Sequence, residues 1–257
     1  MRILSNKEFK VILGRIIFAA VFRIPTCGSP LIEDEAVSFN RYIEAPWQKL
    51  ILNYHDTNQH TLFLLTSKIV TWLFGETEVA YRLPSFVFGV LSIPLMYRLG
   101  LAMRFPWSSA LLSSVLMALS WPHLKYSMEG RGYGITIFLA LLITFSAIQF
   151  LNNSRWAWGG VFIGSGFAMT MALPSTLFFL FGLPVFMIIV RYFELWKINF
   201  SIKKLILFCL PLSIMFVFIG IYFLIIYEGL KYGKEIQPLV LDGNRVMKLT
   251  ELLVAPW

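Results

Sequence analysis

Three short polar clusters in an otherwise apolar chain carry side chains that can do chemistry. They are Glu33-Asp34-Glu35, His55-Asp56-Thr57-Asn58-Gln59-His60 and Glu129-Gly130-Arg131-Gly132-Tyr133. The first offers carboxylates, which can take a proton from an attacking group held within hydrogen-bond reach. Its plainer role is to open a helix, where the dipole favours negative charge, and capping and proton transfer can coexist. In the second, Asp56, Asn58 and His60 alternate, so an extended segment points all three to one side. They could bind a polar substrate or hold a divalent cation. Carboxylate, amide and imidazole make a mixed set with no second pair of ligands. That favours hydrogen bonding and leaves a cation held by Asp56 and His60 as the alternative. The third cluster contains Arg131, whose planar, permanently charged guanidinium suits a phosphate. Its plainer roles are an interfacial anchor and an ion pair with Glu129.

Composition dictates the surroundings of these clusters. Of 257 residues, 58% are hydrophobic and only 14% charged, with 24 Phe and 8 Trp. Mean hydropathy is +0.71. Soluble domains carry about 25% charged residues, and a globule of this size cannot bury so much apolar surface. The excess must face lipid, which excludes a soluble enzyme, a nucleic-acid-binding module and a disordered tail.

A helix crosses the hydrocarbon core with about 20 apolar residues. Such runs lie near 9–25, 84–103, 106–124, 133–151, 156–173, 175–193 and 205–227. The expected fold is therefore all-α, a multi-pass transmembrane helical bundle of about seven spans. Arg15 and Arg23 interrupt the first run near its ends, where long side chains can snorkel to the interface. The basic start and apolar run also suit a signal peptide, but Arg23 beside the would-be cleavage site does not. Pro174 breaks the long apolar stretch 156–193 into a hairpin. Gly160, Gly164 and Gly166 read as close helix packing, since no strand precedes them and no phosphate-loop lysine follows.

Charge sorts the loops. With the N-terminus inside, the inner segments hold Arg98, Arg104, Arg155, Arg191, Lys203 and Lys204, and of the acids only Glu8 and Glu194. Lys/Arg enrichment of short inner loops is the stronger topological signal, so the net charge of +8 reads as sidedness. All three polar clusters then fall outside, on one membrane face. Residues 26–83 form a large extracytoplasmic loop, and 228–257 an extracytoplasmic tail. The loop has its own periodicity. From His60 to Phe74 apolar positions dominate, with Thr61, Lys68 and Thr71 as a narrow polar stripe, which predicts a helix at the membrane surface or among the spans. A shorter amphipathic piece runs from Asp34 to Ala45.

Four blocks in this order carry a resemblance: "DEAVSFNRYI", "HDTNQHTLFLL", "WLFGETEVAYRLPSFVFGVLSIPLMYRLG" and "YSMEGRGYGI". The chain from about residue 15 to 195 resembles membrane glycosyltransferases of the GT-C superfamily. More narrowly, it looks like bacterial relatives of dolichyl-phosphate-mannose protein mannosyltransferases and of the lipid A aminoarabinose transferase.

The resemblance implies a single GT-C-like module over 1–257 in a bacterial inner membrane, with its site on the extracytoplasmic side. It implies a polyprenyl-phosphate sugar donor and an acceptor hydroxyl on protein, lipid or glycan. Asp34 matches the family's acidic position after the first span, which makes it the general base, with Glu35 setting its proton affinity or binding the acceptor. Arg131 becomes the phosphate partner, and Glu129, Tyr133, Asp56, Asn58 and His60 join it as substrate-binding candidates. Arg82 also matches, but its place at a span mouth suits simple anchoring. A divalent cation bridging the donor phosphate stays open. The chain departs from the family in two ways. It covers only the N-terminal half of such enzymes, which leaves room for a truncated remnant or for a partner subunit completing the donor groove. It also reads Ala172-Leu173-Pro174-Ser175 where the family often has a histidine. The rival class is a non-catalytic, lipid-carrier-binding or transporter-like subunit. Carboxylates lying outside the spans weigh against transport, which places charges at the bilayer midplane.

Overall fold

A computed structural model describes residues 14, 17, 20–21, 23–24, 28–52, 54, 59–193, 201–227, 229 and 231. Among the described residues the fold is all-α, with no strand. Two short helices, α1 (Glu33–Tyr42) and α2 (Trp47–Leu52), precede α3 (Thr61–Phe74) and the long α4 (Glu78–Ala102). Then come α5 (Trp107–Leu119), α6 (Trp121–Met128), α7 (Tyr133–Asn153), α8 (Trp156–Ala172), α9 (Leu177–Tyr192) and α10 (Ile202–Ile225).

Local sequence explains most boundaries. Thr77 caps α4 by accepting from the Ala80 N–H at 3.1 Å. Gly75, at φ 89°, ends α3 in a conformation that only glycine adopts readily. The α7–α8 hairpin turns on Ser154 in the left-handed region, and a 3-10 turn at Pro174–Thr176 separates α8 from α9 at the expected break.

Among the described residues, four helical stretches are long and apolar enough to cross a membrane: Glu78–Ala102, Tyr133–Asn153, Pro174–Tyr192 and Ile202–Ile225. The protein is a membrane protein, and its outer surface agrees. Phe178 on α9 is 84% exposed and Leu224 on α10 is 77% exposed, within runs of exposed apolar side chains on both helices such as a lipid-facing surface carries. The remaining expected spans differ, 156–173 forming the 17-residue α8, which is not among those four. Most of 9–25 lies outside the described residues. The run 106–124 is two helices, because Ser120 turns extended and Pro122 sits in the first turn of α6. At 1.5 Å per residue α5 reaches only about 20 Å, short of the roughly 30 Å hydrocarbon core.

α7 lies at the centre of the bundle, between α4 and α8, and α10 packs on α8. The glycines of α8 divide by face: a Cβ at Gly166 would strike Met215 Sδ of α10, whereas Gly160 and Gly164 look onto open space. Of the three, Gly166 alone packs closely. The polar stripe of α3 points inward. Thr61 and Thr71 are buried, while Ile69, Trp72 and Leu73 are exposed, the reverse of a helix facing water. Lys68 leaves that stripe to donate to the carbonyls of Ile43 and Ala45, tying α3 to the connection between α1 and α2.

Arg23 does not snorkel. It is fully buried, and its Nη2 donates to Nδ1 of His123 on α6 at 2.9 Å. With Nδ1 accepting, the imidazole proton sits on Nε2, which donates to Ser92 Oγ of α4 at 2.7 Å. The Ser92 hydroxyl in turn donates to Gly89 O. His123 is thus a buried junction rather than an interfacial ring, because the segment bearing Arg23 docks against α5 and α6 instead of facing the headgroups. Removing the acceptor of a buried charged donor costs about 1.5–3 kcal/mol. His123→Leu is expected to lose that much stability in thermal unfolding in detergent, and Ser92→Ala about 1 kcal/mol. An unchanged His123→Leu melting point would mean the chain of bonds is incidental.

Candidate functional site

The first and third polar clusters meet at one end of the bundle through two neighbouring carboxylates with different fates. Glu35 is 1% exposed. Arg82, at the start of α4, grips it side-on with one edge of its guanidinium, Nη2 to Oε2 at 2.5 Å and Nε to Oε1 at 3.0 Å. The Ile32 N–H donates to Oε2 at 3.0 Å, one half of a capping box that starts α1. The Gly130 N–H donates to Oε1 from the α6–α7 connection. Arg82 also donates to the carbonyls of Ser29, at 2.5 Å, and Pro30, at 3.1 Å. One ion pair therefore stitches together residues 29–35, α4 and the Glu129–Tyr133 cluster. Burial pushes the Glu35 carboxyl up, but the bonds from Arg82, Gly130 and Ile32 outweigh it and hold the group below the usual carboxylate range.

This bears on one of the two roles expected of Glu35, binding the acceptor. A side chain so enclosed, with both oxygens already accepting, has no face left for an acceptor, and its bonds tie residues 29–35 to α4 and the α6–α7 connection. Arg82, taken from sequence as an anchor, is that carboxylate's structural partner. No local signal joins them, since they stand 47 positions apart.

Asp34 turns the other way. Its side chain is 50% exposed and pairs with Arg131, whose Nη1 donates to Oδ2 at 3.0 Å. The Arg131 guanidinium lies 5.1 Å from the centroid of Tyr133, a cation–π arrangement. The Tyr133 ring in turn sits 5.1 Å from His60 and 4.9 Å from Tyr126. Ser85 Oγ donates to the Arg131 carbonyl at 2.6 Å, so the backbone beneath the guanidinium is fixed to α4. His60 is buried, and its Nδ1 donates to Ala172 O at 3.1 Å at the end of α8. Glu129 pairs with Lys125 at 3.6 Å, not with Arg131.

Asp34, Glu35, Arg131, Tyr133 and His60 are thus brought together, with Glu129 alongside. Asp56 and Asn58 lie outside the described residues. Among the described residues no group of three or more His, Cys, Asp or Glu side chains is arranged to hold a metal. The assembly offers a half-exposed carboxylate, a guanidinium over an aromatic face, and a buried frame that fixes both.

Close approach at Gly130 keeps that frame shut. A Cβ there would fall 2.5 Å from Tyr81 Cε1 and 3.0 Å from Glu35 Oε1. Tyr81 cannot yield, since it is fully buried with its ring edge-on to Phe39 and Phe63. Gly130→Ala is expected to cost about 1–3 kcal/mol, as overpacking does. It should also move Arg131 away from Asp34. Thermal unfolding together with a cross-linking distance between positions 34 and 131 would check both effects, and an unchanged pair would refute the tight fit.

No protein-family model matches this chain, and no curated protein sequence does so either.

Proposed function

We propose that this membrane protein is a glycosyltransferase that moves a sugar from a polyprenyl-phosphate donor to an acceptor hydroxyl on the extracytoplasmic face of a bacterial inner membrane. One observation carries the reading. A half-exposed carboxylate and a guanidinium, 97 positions apart in sequence, meet at 3.0 Å at one end of a lipid-facing bundle. The order of the four sequence blocks supports it as well.

Transfer is a displacement at the anomeric carbon. Asp34 takes the proton of the acceptor hydroxyl while its oxygen bonds to that carbon. The bond between carbon and phosphate oxygen breaks, and the lipid phosphate leaves with its charge held by Arg131. Tyr133 braces the guanidinium, and Glu35 with Arg82 holds the scaffold. Acceptor protein, lipid or glycan would enter over the exposed side of Asp34.

The test reconstitutes the full chain in liposomes with a labelled polyprenyl-phosphate hexose or pentose and a panel of acceptors. Label should appear in the acceptor fraction and vanish with Asp34→Asn. No transfer from any donor in the panel would defeat the reading. Adding a chelator to the same assay reads out metal dependence.

A further inference from the structure

The opposite end of the bundle gathers charge of one sign. α7 starts at Tyr133 in the candidate site and ends at Asn153, and α10 begins beside that ending. Lys204 of α10 donates to the Asn152 carbonyl at 2.6 Å, and Phe208, one turn on, packs on Phe150 of α7 and Phe162 of α8. Arg155 opens α8 about two turns before Phe162, on the side of that helix that meets α10. Arg155, Lys203 and Lys204 are therefore neighbours at the α7–α8 turn. Arg155 and Lys203 are exposed, and among the described residues their side chains have no hydrogen-bond or ion-pair partner. The half-buried Lys204 ammonium has one neutral carbonyl for its three N–H groups. Among the described residues after Glu78 the one acid is Glu129, at the other end beside Lys125. The connection 194–200, outside the described residues, adds Glu194 and Lys197 and so no net charge. Cations held together in this way repel one another, and a half-buried ammonium is costly without an anion.

Depth decides which anion fits. Tyr133–Asn153 and Ile202–Ile225 are both long and apolar enough to cross a membrane, so Asn153 and Lys203 stand where spans end, at headgroup level. Trp156 is exposed beside Arg155, as aromatic side chains at that level are. Exposed Ile202, Ile206 and Leu210 continue along α10 from Lys203 toward the hydrocarbon. A soluble acidic partner would be met by that apolar strip, whereas a phospholipid brings phosphate above and acyl chains below. We propose that the α7–α8 turn and the start of α10 bind the phosphodiester of an anionic phospholipid. Arg155, Lys203 and Lys204 surround its charge, and its acyl chains lie along the exposed strip of α10. The site is independent of the sugar-transfer reading.

Native mass spectrometry of the full chain in detergent tests this by counting lipid bound on titration with phosphatidylglycerol or with zwitterionic phosphatidylcholine. Phosphatidylglycerol should bind at least about tenfold more tightly, since each base near an anionic headgroup is worth roughly fivefold in affinity. Arg155→Gln and Lys203→Gln should each weaken phosphatidylglycerol binding by about that factor, and the double variant by about 25-fold. Phosphatidylcholine binding should stay as it was. Both positions are exposed, so the variants keep the fold. Lys125→Gln, at the other end, should change neither lipid. Equal affinity of the native chain for the two lipids, or undiminished phosphatidylglycerol binding by the double variant, would overturn the proposal. Displacement of the lipid by inorganic phosphate at matching concentration would also overturn it, because the site would then take a free anion.

Discussion

Asp34→Asn is expected to slow sugar transfer by about 10²–10⁴-fold, the usual contribution of a positioned general base. The amide matches the carboxylate in size, and its oxygen can still accept from Arg131 Nη1 across the 3.0 Å contact. The geometry is therefore kept and the basicity lost. Because the side chain is half exposed, stability should change by no more than about 0.5 kcal/mol. Single-turnover transfer beside thermal unfolding separates the two effects. Because Arg131 is kept, donor affinity should not fall with the rate, so kcat drops while KM for donor holds. A rate within twofold of native would remove Asp34 from the chemistry, and a large loss of stability would recast it as structural.

Glu35→Gln should act in the opposite way, on the fold first. Removing one charge of a buried pair strands the other, at a typical cost of about 3–5 kcal/mol. At 1% exposure of the carboxylate, solvent screening does not reduce that figure. The amide also presents donors where Arg82 and Gly130 both donate. Transfer should fall as a consequence, because the connection carrying Arg131 is no longer held. The double variant Glu35→Leu with Arg82→Met should regain part of the stability, since buried pairs are often replaceable by apolar residues.

Acid gives an independent check on the same pair. The folded Glu35 carboxyl lies below its ordinary value, which is about 4.3 in unfolded chains. Its contribution is therefore complete above about pH 4.3 and disappears as pH falls through the folded value. The native chain should lose stability in that range and Glu35→Gln should lack that limb. Parallel pH profiles for the two would mean the pair contributes nothing.

Much of this arrangement was legible in the sequence where one physical signal dominates. Long apolar runs gave α4, α7 and α10, the break at Pro174 is visible as a lone proline, and the periodicity after His60 gave α3. Where two environments share one signal, sequence reading stopped. Hydropathy does not distinguish lipid from protein interior, so it could not tell Gly166, against Met215, from Gly160 and Gly164 in open space. Nor could it show that the polar stripe of α3 turns inward. Helical geometry explains why Asp34 and Glu35 diverge, since neighbours lie about 100° apart around the axis. Which of them turns inward is decided by Arg82, far along the chain. Arg23 gave no hint of His123, because the pairing exists only once the two segments are docked.

The partners of Glu35 also set an order of events during synthesis. Its carboxylate leaves the ribosome 47 residues ahead of Arg82 and 95 ahead of Gly130. At about 5–20 residues per second, the nascent chain carries that acid uncompensated for seconds. The end of the bundle bearing both carboxylates can close only after α4 and the turn into α7 have entered the membrane. A translation product halted before Gly130 would hold Asp34, Glu35 and Arg82 but lack the Gly130 N–H and the Arg131 guanidinium that complete the acidic end.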